Sequence, residues 1–211
     1  MSERIALFFI FYPVFLFSLS FHEASHAWMA NRLGDSTARL LGRMTLNPLA
    51  HIDWIGTVLF PLMMFLMPGL LLFGWAKPVP VDPYRLRGGR KGNLKVALAG
   101  PISNIFLALV FAGLLHLLVR VGTGGSVMEV IGQMMETGVY LNLMLAFFNL
   151  VPIPPLDGSG ILEGILPLRY LETYDRIRRY GFMILLVGLY LGAFRLLSIP
   201  VYSLAGFLLP K

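Results

Sequence analysis

His22-Glu23-Ala24-Ser25-His26 places two imidazoles four residues apart with a carboxylate between them. On a helix that spacing brings both histidines to one face, where they can share a divalent ion, and sets Glu23 beside any water held on that ion. That is the outline of a metalloprotease centre. The motif lies in the second half of an apolar stretch, residues 5–33, long enough to cross a bilayer. Ionisable groups are costly at that depth and mark function there; the plain alternative is a pair of structural histidines bonded to neighbouring helices. A catalytic zinc takes three protein ligands and leaves a fourth position to water. With no cysteine in the chain, a carboxylate from elsewhere must complete the set.

Asp157 is the best candidate. It follows the apolar residues 137–150 and the prolines Pro152, Pro154 and Pro155, and it precedes Gly158, which lets the backbone turn sharply. The competing reading makes Asp157 the cap of a helix that starts near Gly160, in which case another carboxylate, such as Asp53, would be the ligand.

The elements that must position these groups are helices in lipid. Of 211 residues, 57% are hydrophobic and 13% charged, and the mean hydropathy is +0.75. A soluble domain is only about 45–50% apolar, so the chain reads as an all-α polytopic membrane protein. Its length allows a bundle of about four to five transmembrane helices in one unit, residues 1–211, with a core at 5–160 and a helical C-terminal region at 161–211. Residues 94–119 and 137–150 read as spans, residues 163–179 as a polar loop and 180–209 as a last apolar region that Arg195 and Pro200 interrupt. No signal-cleavage pattern follows the first apolar run, which therefore reads as a retained span.

Arg32, Arg39 and Arg43, the basic residues between Lys77 and Lys95, and Arg169, Arg176, Arg178 and Arg179 make up most of the 17 Lys and Arg. Excess Lys and Arg collect in cytoplasmic loops, so all three stretches belong on one side and the net charge of +6 does not point to nucleic acid. Residues 54–73, lying between two such loops, then suit a re-entrant hairpin, which their Pro61, Pro68 and Gly69 favour; the alternative is one more span. Entered from outside, the first span has about eleven residues left after His22, roughly 16 Å, which puts the histidines in the cytoplasmic half. The span at 137–150 delivers Asp157 to the same depth. Arg195 would sit near the outer end of the last span, snorkelling to the interface.

Three segments carry a family resemblance: His22-Glu23-Ala24-Ser25-His26, then Gly100-Pro101-Ile102-Ser103-Asn104, then Asn149-Leu150-Val151-Pro152-Ile153-Pro154-Pro155-Leu156-Asp157-Gly158. In this order they resemble the site-2 proteases, intramembrane zinc metalloproteases. Gly74-Trp75-Ala76-Lys77-Pro78-Val79-Pro80-Val81 and Leu46-Asn47-Pro48-Leu49-Ala50-His51-Ile52-Asp53 look like the compact prokaryotic branch without PDZ or CBS domains. The resemblance implies that His22, His26 and Asp157 hold one Zn²⁺ and that Glu23 is the general base. Asn104 is then a candidate donor to the developing oxyanion and Asn149 a candidate for binding substrate backbone, each with interhelical hydrogen bonding as its alternative. The implied substrate is a transmembrane protein or peptide, unwound and paired along an edge strand, for which residues 40–46 and 75–81 are candidates. The expected location is a prokaryotic cell membrane, with the site toward the cytoplasm. His51 reads as a water-access or structural histidine. The rival functions are a metal-binding transporter, disfavoured by the apolar outer half of the first span, and an inactive relative that binds membrane proteins without cutting them.

Overall fold

A computed structural model describes residues 2–67, 74–122 and 125–210. In chain order the helices are α1 (Ser2–Arg32), the single turn α2 (Thr37–Leu40), α3 (Trp54–Leu66), α4 (Arg90–Val121), α5 (Ser126–Asn149), α6 (Asp157–Ile165), α7 (Leu168–Arg178), α8 (Gly181–Tyr190) and α9 (Ser198–Leu208). Two of them, α1 and α4, are long and apolar enough to cross a membrane. The 24-residue α5 packs along both, but Glu129, Gln133, Glu136 and Asn142 interrupt its apolar run.

These three helices form the centre. Val14 of α1, Leu107, Ala108, Phe111 and Ala112 of α4, and Val139 and Leu143 of α5 bury one apolar cluster, closed at its end by Val201 and Ala205 of α9. Alanines at the α4 contact let the backbones approach closely, the usual device where lipid removes any hydrophobic drive between helices. On the opposite faces Phe9, Ile102, Phe106 and Leu117 lie open. Such a surface is stable against acyl chains rather than water.

The structure departs from the sequence reading in the connecting regions. Among the described residues there is no strand. Residues 40–46 form the end of α2 and a turn, and residues 75–81 run irregularly, with Pro78 and Pro80 lacking the N–H that a ladder needs. Residues 168–178, read as loop because of their charges, are helix α7, whose Arg176 and Glu172 pair across one turn at 2.5 Å. The last apolar region is not one straight span. It bends by 80° between α8 and the helical residues that follow, around Gly192, whose φ of +71° suits only a residue without a Cβ. Arg195 lies in the 3₁₀ turn at that bend rather than at the end of a span.

Residues 68–73, part of the expected hairpin, lie outside the described residues. The described parts on either side run together: Trp75 N–H donates to the Gly56 carbonyl at 3.3 Å, Thr57 Oγ1–H to Trp75 O at 2.8 Å, and Lys77 N–H to His51 O at 2.9 Å. The chain thus returns to where it left. Further along, Arg87 N–H donates to Leu33 O at 2.8 Å, and Arg90 donates to the carbonyls of Glu163 and Leu166. The three basic stretches therefore meet at one end of the bundle.

Asp35 ties that end together. Fully buried, it accepts from Thr37 N–H at 3.0 Å, Thr37 Oγ1–H at 2.5 Å and Asp82 N–H at 2.7 Å. Burial alone would raise its carboxyl, but these bonds, with Arg85 nearby, hold it below the ordinary carboxylate value. A group depressed in the folded state stabilises the fold above its unfolded pKa of about 3.9 and loses that contribution as pH falls through the folded value. Asp35→Asn should therefore lower stability by about 1–3 kcal/mol near neutral pH and lose less than wild type on acidification, read as Tm in detergent across pH.

Candidate metal centre

α1 carries His22 and His26 on the face turned to α4, and α4 makes room for them at Gly100. A Cβ there would meet His26 Nε2 and the His22 ring at less than van der Waals distance. Val96, one turn earlier on α4, offers its carbonyl oxygen to His26 Nδ1 at 2.7 Å. A carbonyl only accepts, so the His26 proton is on Nδ1 and the Nε2 lone pair is free to bind. On the other side of the rings, His22 Nδ1 lies 2.5 Å from Asn104 Oδ1.

The third group comes from the start of α6. Gly158 fits there because a Cβ would run into the carbonyls of Leu150 and Val151 at the end of α5, so the chain can fold back closely enough to bring Asp157 to the histidines. Asp157 Oδ2 is 3.1 Å from His22 Nε2, Oδ1 is 3.3 Å from His26 Nε2, and the two Nε2 atoms are 3.0 Å apart. Both histidines are buried. Three atoms each bonded at about 2.0–2.1 Å to one tetrahedral ion would lie about 3.3 Å from one another, which is close to these spacings. The buried Asp157 Oδ2 has no hydrogen-bond donor of its own. Lone pairs brought this close inside a protein repel unless a cation lies between them, so the donor set fits a zinc ion. This is the one such His and carboxylate group among the described residues.

Glu23 stands beside the triad, and its Oε2 accepts from Val79 N–H at 3.0 Å. That bond anchors residues 75–81 over a cavity of about 550 Å³ lined by Leu19, Trp75, Val79, Ala97, Asn149 and the triad. Arg43 holds the same segment by donating to Lys77 O at 2.5 Å. The cavity lining is chiefly apolar.

Of the residues singled out in the sequence, His22, His26, Asp157 and Glu23 come together. Asn149 lines the cavity, with its Nδ2 back-bonded to Leu145 O at 2.9 Å. Asn104 does not line it: fully buried behind His22, it spends its Oδ1 on the ring and donates from Nδ2 to Asn142 Oδ1 at 2.8 Å. Asp53 caps α3, accepting from Ile55 and Gly56 N–H, and is not near the histidines. His51 is a structural histidine, buried with Nε2 2.8 Å from Thr45 O. Asn142, Ser18 and the cavity-lining Asn93 were not anticipated. Their signal was a polar residue in or beside an apolar helix, where each needs a partner.

The profile described as Peptidase family M50 matches residues 118–192, which include Asn149 and Asp157. Similar proteins include YwhC of Bacillus subtilis (strain 168), 36% identical over 190 residues covering 85% of this chain and 83% of that protein. Rip2 of Mycolicibacterium smegmatis (strain ATCC 700084 / mc(2)155) is 29% identical over 176 residues, 82% of this chain and 63% of its own length. MJ0611 of Methanocaldococcus jannaschii is 44% identical over 71 residues, 34% of each chain. All three bear the printed name "Putative zinc metalloprotease". No solved structure matches.

Asp157→Ala should lower zinc affinity by at least about 10-fold, whereas Asp53→Ala should leave it unchanged, measured by chelator competition on detergent-purified protein. Gly100→Ala, which pushes a methyl group into both rings, should also shed zinc without touching a ligand.

Proposed function

The chain belongs to peptidase family M50, the site-2 proteases, and from that premise we propose that it is a zinc-dependent endopeptidase that cuts other membrane proteins within or next to their transmembrane segments. The observation that carries this reading is that His22 and His26, on a helix apolar enough to cross the bilayer, meet Asp157 from the start of α6 at 3.0–3.3 Å, with Glu23 alongside. Those three residues would hold one zinc, which when bound supplies a water acidic enough to ionise near neutral pH and a Lewis acid for the scissile carbonyl. Glu23 takes a proton from the attacking water and returns it to the leaving nitrogen. Its Oε2 is anchored by Val79, which fixes the carboxylate beside the reacting centre and leaves Oε1 to carry the proton.

The substrate enters as unwound backbone. A transmembrane helix buries its peptide groups in its own hydrogen bonds, so cutting one requires local opening and new partners for the exposed groups. Residues 75–81, which border the cavity, supply backbone for such pairing, and Asn149, which also lines it, supplies a side-chain amide. Asn104, occupied behind His22, is not assigned the oxyanion. The clustering of the three basic stretches at one end supports a site opening toward the cytoplasm, and the likeness to the compact prokaryotic branch supports a prokaryotic cell membrane. A transit role for the metal is disfavoured by the apolar cluster of Val14, Leu107, Phe111 and Leu143 that packs the far half of the helices.

Glu23→Gln tests the reading. It should leave zinc bound and lower cleavage of a transmembrane-helix substrate by about 10²–10⁴-fold. Cleavage at the wild-type rate would remove Glu23 as the base, and a zinc-loaded wild type inert toward all such substrates would favour a relative that binds without cutting.

A further inference from the structure

Behind the metal centre a line of buried side chains crosses all three central helices. Ser18 of α1, Asn142 of α5, Asn104 of α4 and His22 of α1 again follow one another, and the first three are at most 1% exposed. Asn142 Nδ2 is 2.9 Å from Gly138 O and 2.8 Å from Ser18 Oγ, Asn104 Nδ2 is 2.8 Å from Asn142 Oδ1, and Asn104 Oδ1 is 2.5 Å from His22 Nδ1.

The polarity of this line is fixed at one end. Gly138 O is a backbone carbonyl and can only accept, so the atom of Asn142 facing it must be the amide nitrogen. Asn142 Oδ1 then faces Asn104, whose contacting atom must be Nδ2. Asn104 in turn shows its oxygen to His22, and an oxygen acceptor requires a proton on Nδ1. The Nε2 lone pair is left pointing at Asp157 and His26. Reversing either amide would set two acceptors or two donors against each other in a buried site, which costs on the order of 1–3 kcal/mol per unsatisfied group.

Resting on the zinc reading above, we propose that Asn104 and Asn142 are positioning residues for the metal, a relay that carries the polarity of the Gly138 carbonyl to His22 and holds its Nε2 ready to bind. His26 obtains the same tautomer from one backbone carbonyl, that of Val96. His22 obtains it only through helix packing, so its readiness to bind depends on α1, α4 and α5 being assembled.

Zinc affinity of metal-stripped protein in detergent, titrated against a chelating fluorophore, tests the relay. Asn104→Leu should weaken binding by about 10–100-fold, and Asn104→Asp, which keeps an oxygen toward His22, should restore most of it. Asn142→Leu should weaken binding by a smaller factor and add nothing on top of Asn104→Leu, because it acts through that residue. A folded Asn104→Leu within about twofold of wild type, or additive losses in the double variant, would overturn the proposal. Should the leucine variants not fold, ¹⁵N spectra of wild-type imidazoles decide. A slowly exchanging His22 Hδ1 is expected, and a metal-free His22 protonated on Nε2 would refute the relay. Failure of the wild type to bind zinc would instead contradict the metalloprotease reading, and the spectra would still test the relay.

Discussion

Two imidazole nitrogens and a carboxylate are held 3.0–3.3 Å apart, a spacing at which their lone pairs repel unless a proton or a metal ion lies between them, and the fold is organised to hold them there. Each of the three comes from a different constraint. The helical repeat sets the histidines on one face, Gly100 lets α4 approach that face, and Gly158 lets the chain reverse so that Asp157 meets it. The repulsion that this geometry implies in the free protein is what makes zinc binding favourable, since a preformed set of ligands has already met the cost of being ordered.

Everything else near the centre works on orientation. Backbone carbonyls fix both imidazole protons on Nδ1, directly for His26 and through two amides for His22. Glu23 is steadied by a backbone N–H from residues 75–81, and those residues are in turn held by Arg43, His51 and Thr57, with Asp35 holding Asp82 just beyond them. The segment that borders the cavity is therefore tied to the base at one point and to the basic end of the bundle at several others.

How much of this was legible in the residues depended on the range of the interactions. The His22 and His26 pair is local, fixed by a four-residue spacing, and reads directly. Asp157 was recoverable by reading residues 137–150 as a span that delivers it to the depth of the histidines, an argument from membrane thickness that needs no side-chain packing. Span 94–119 falls inside α4 for the same reason. For Asn104 the sequence leaves an oxyanion donor and an interhelical hydrogen-bonding residue open: its partners lie 82 and 38 residues away, and only the packing of α1 and α5 against α4 reveals them. The bend at Gly192 was hidden because Arg195 and Pro200 interrupt the apolar region without fixing where the chain turns, and α7 because a run of charged residues between apolar segments reads as loop. The 75–81 segment has the prolines of an edge strand but no partner strand among the described residues.

The central claim is that these three side chains coordinate one zinc. Zinc content together with zinc X-ray absorption of the wild-type protein, purified without added metal, tests it most directly. The account predicts one ion per chain with two imidazole nitrogens at about 2.0–2.1 Å and oxygen in the remaining positions. A protein that retains no zinc when supplied with it, or a bound ion whose coordination shell contains no imidazole, would contradict it.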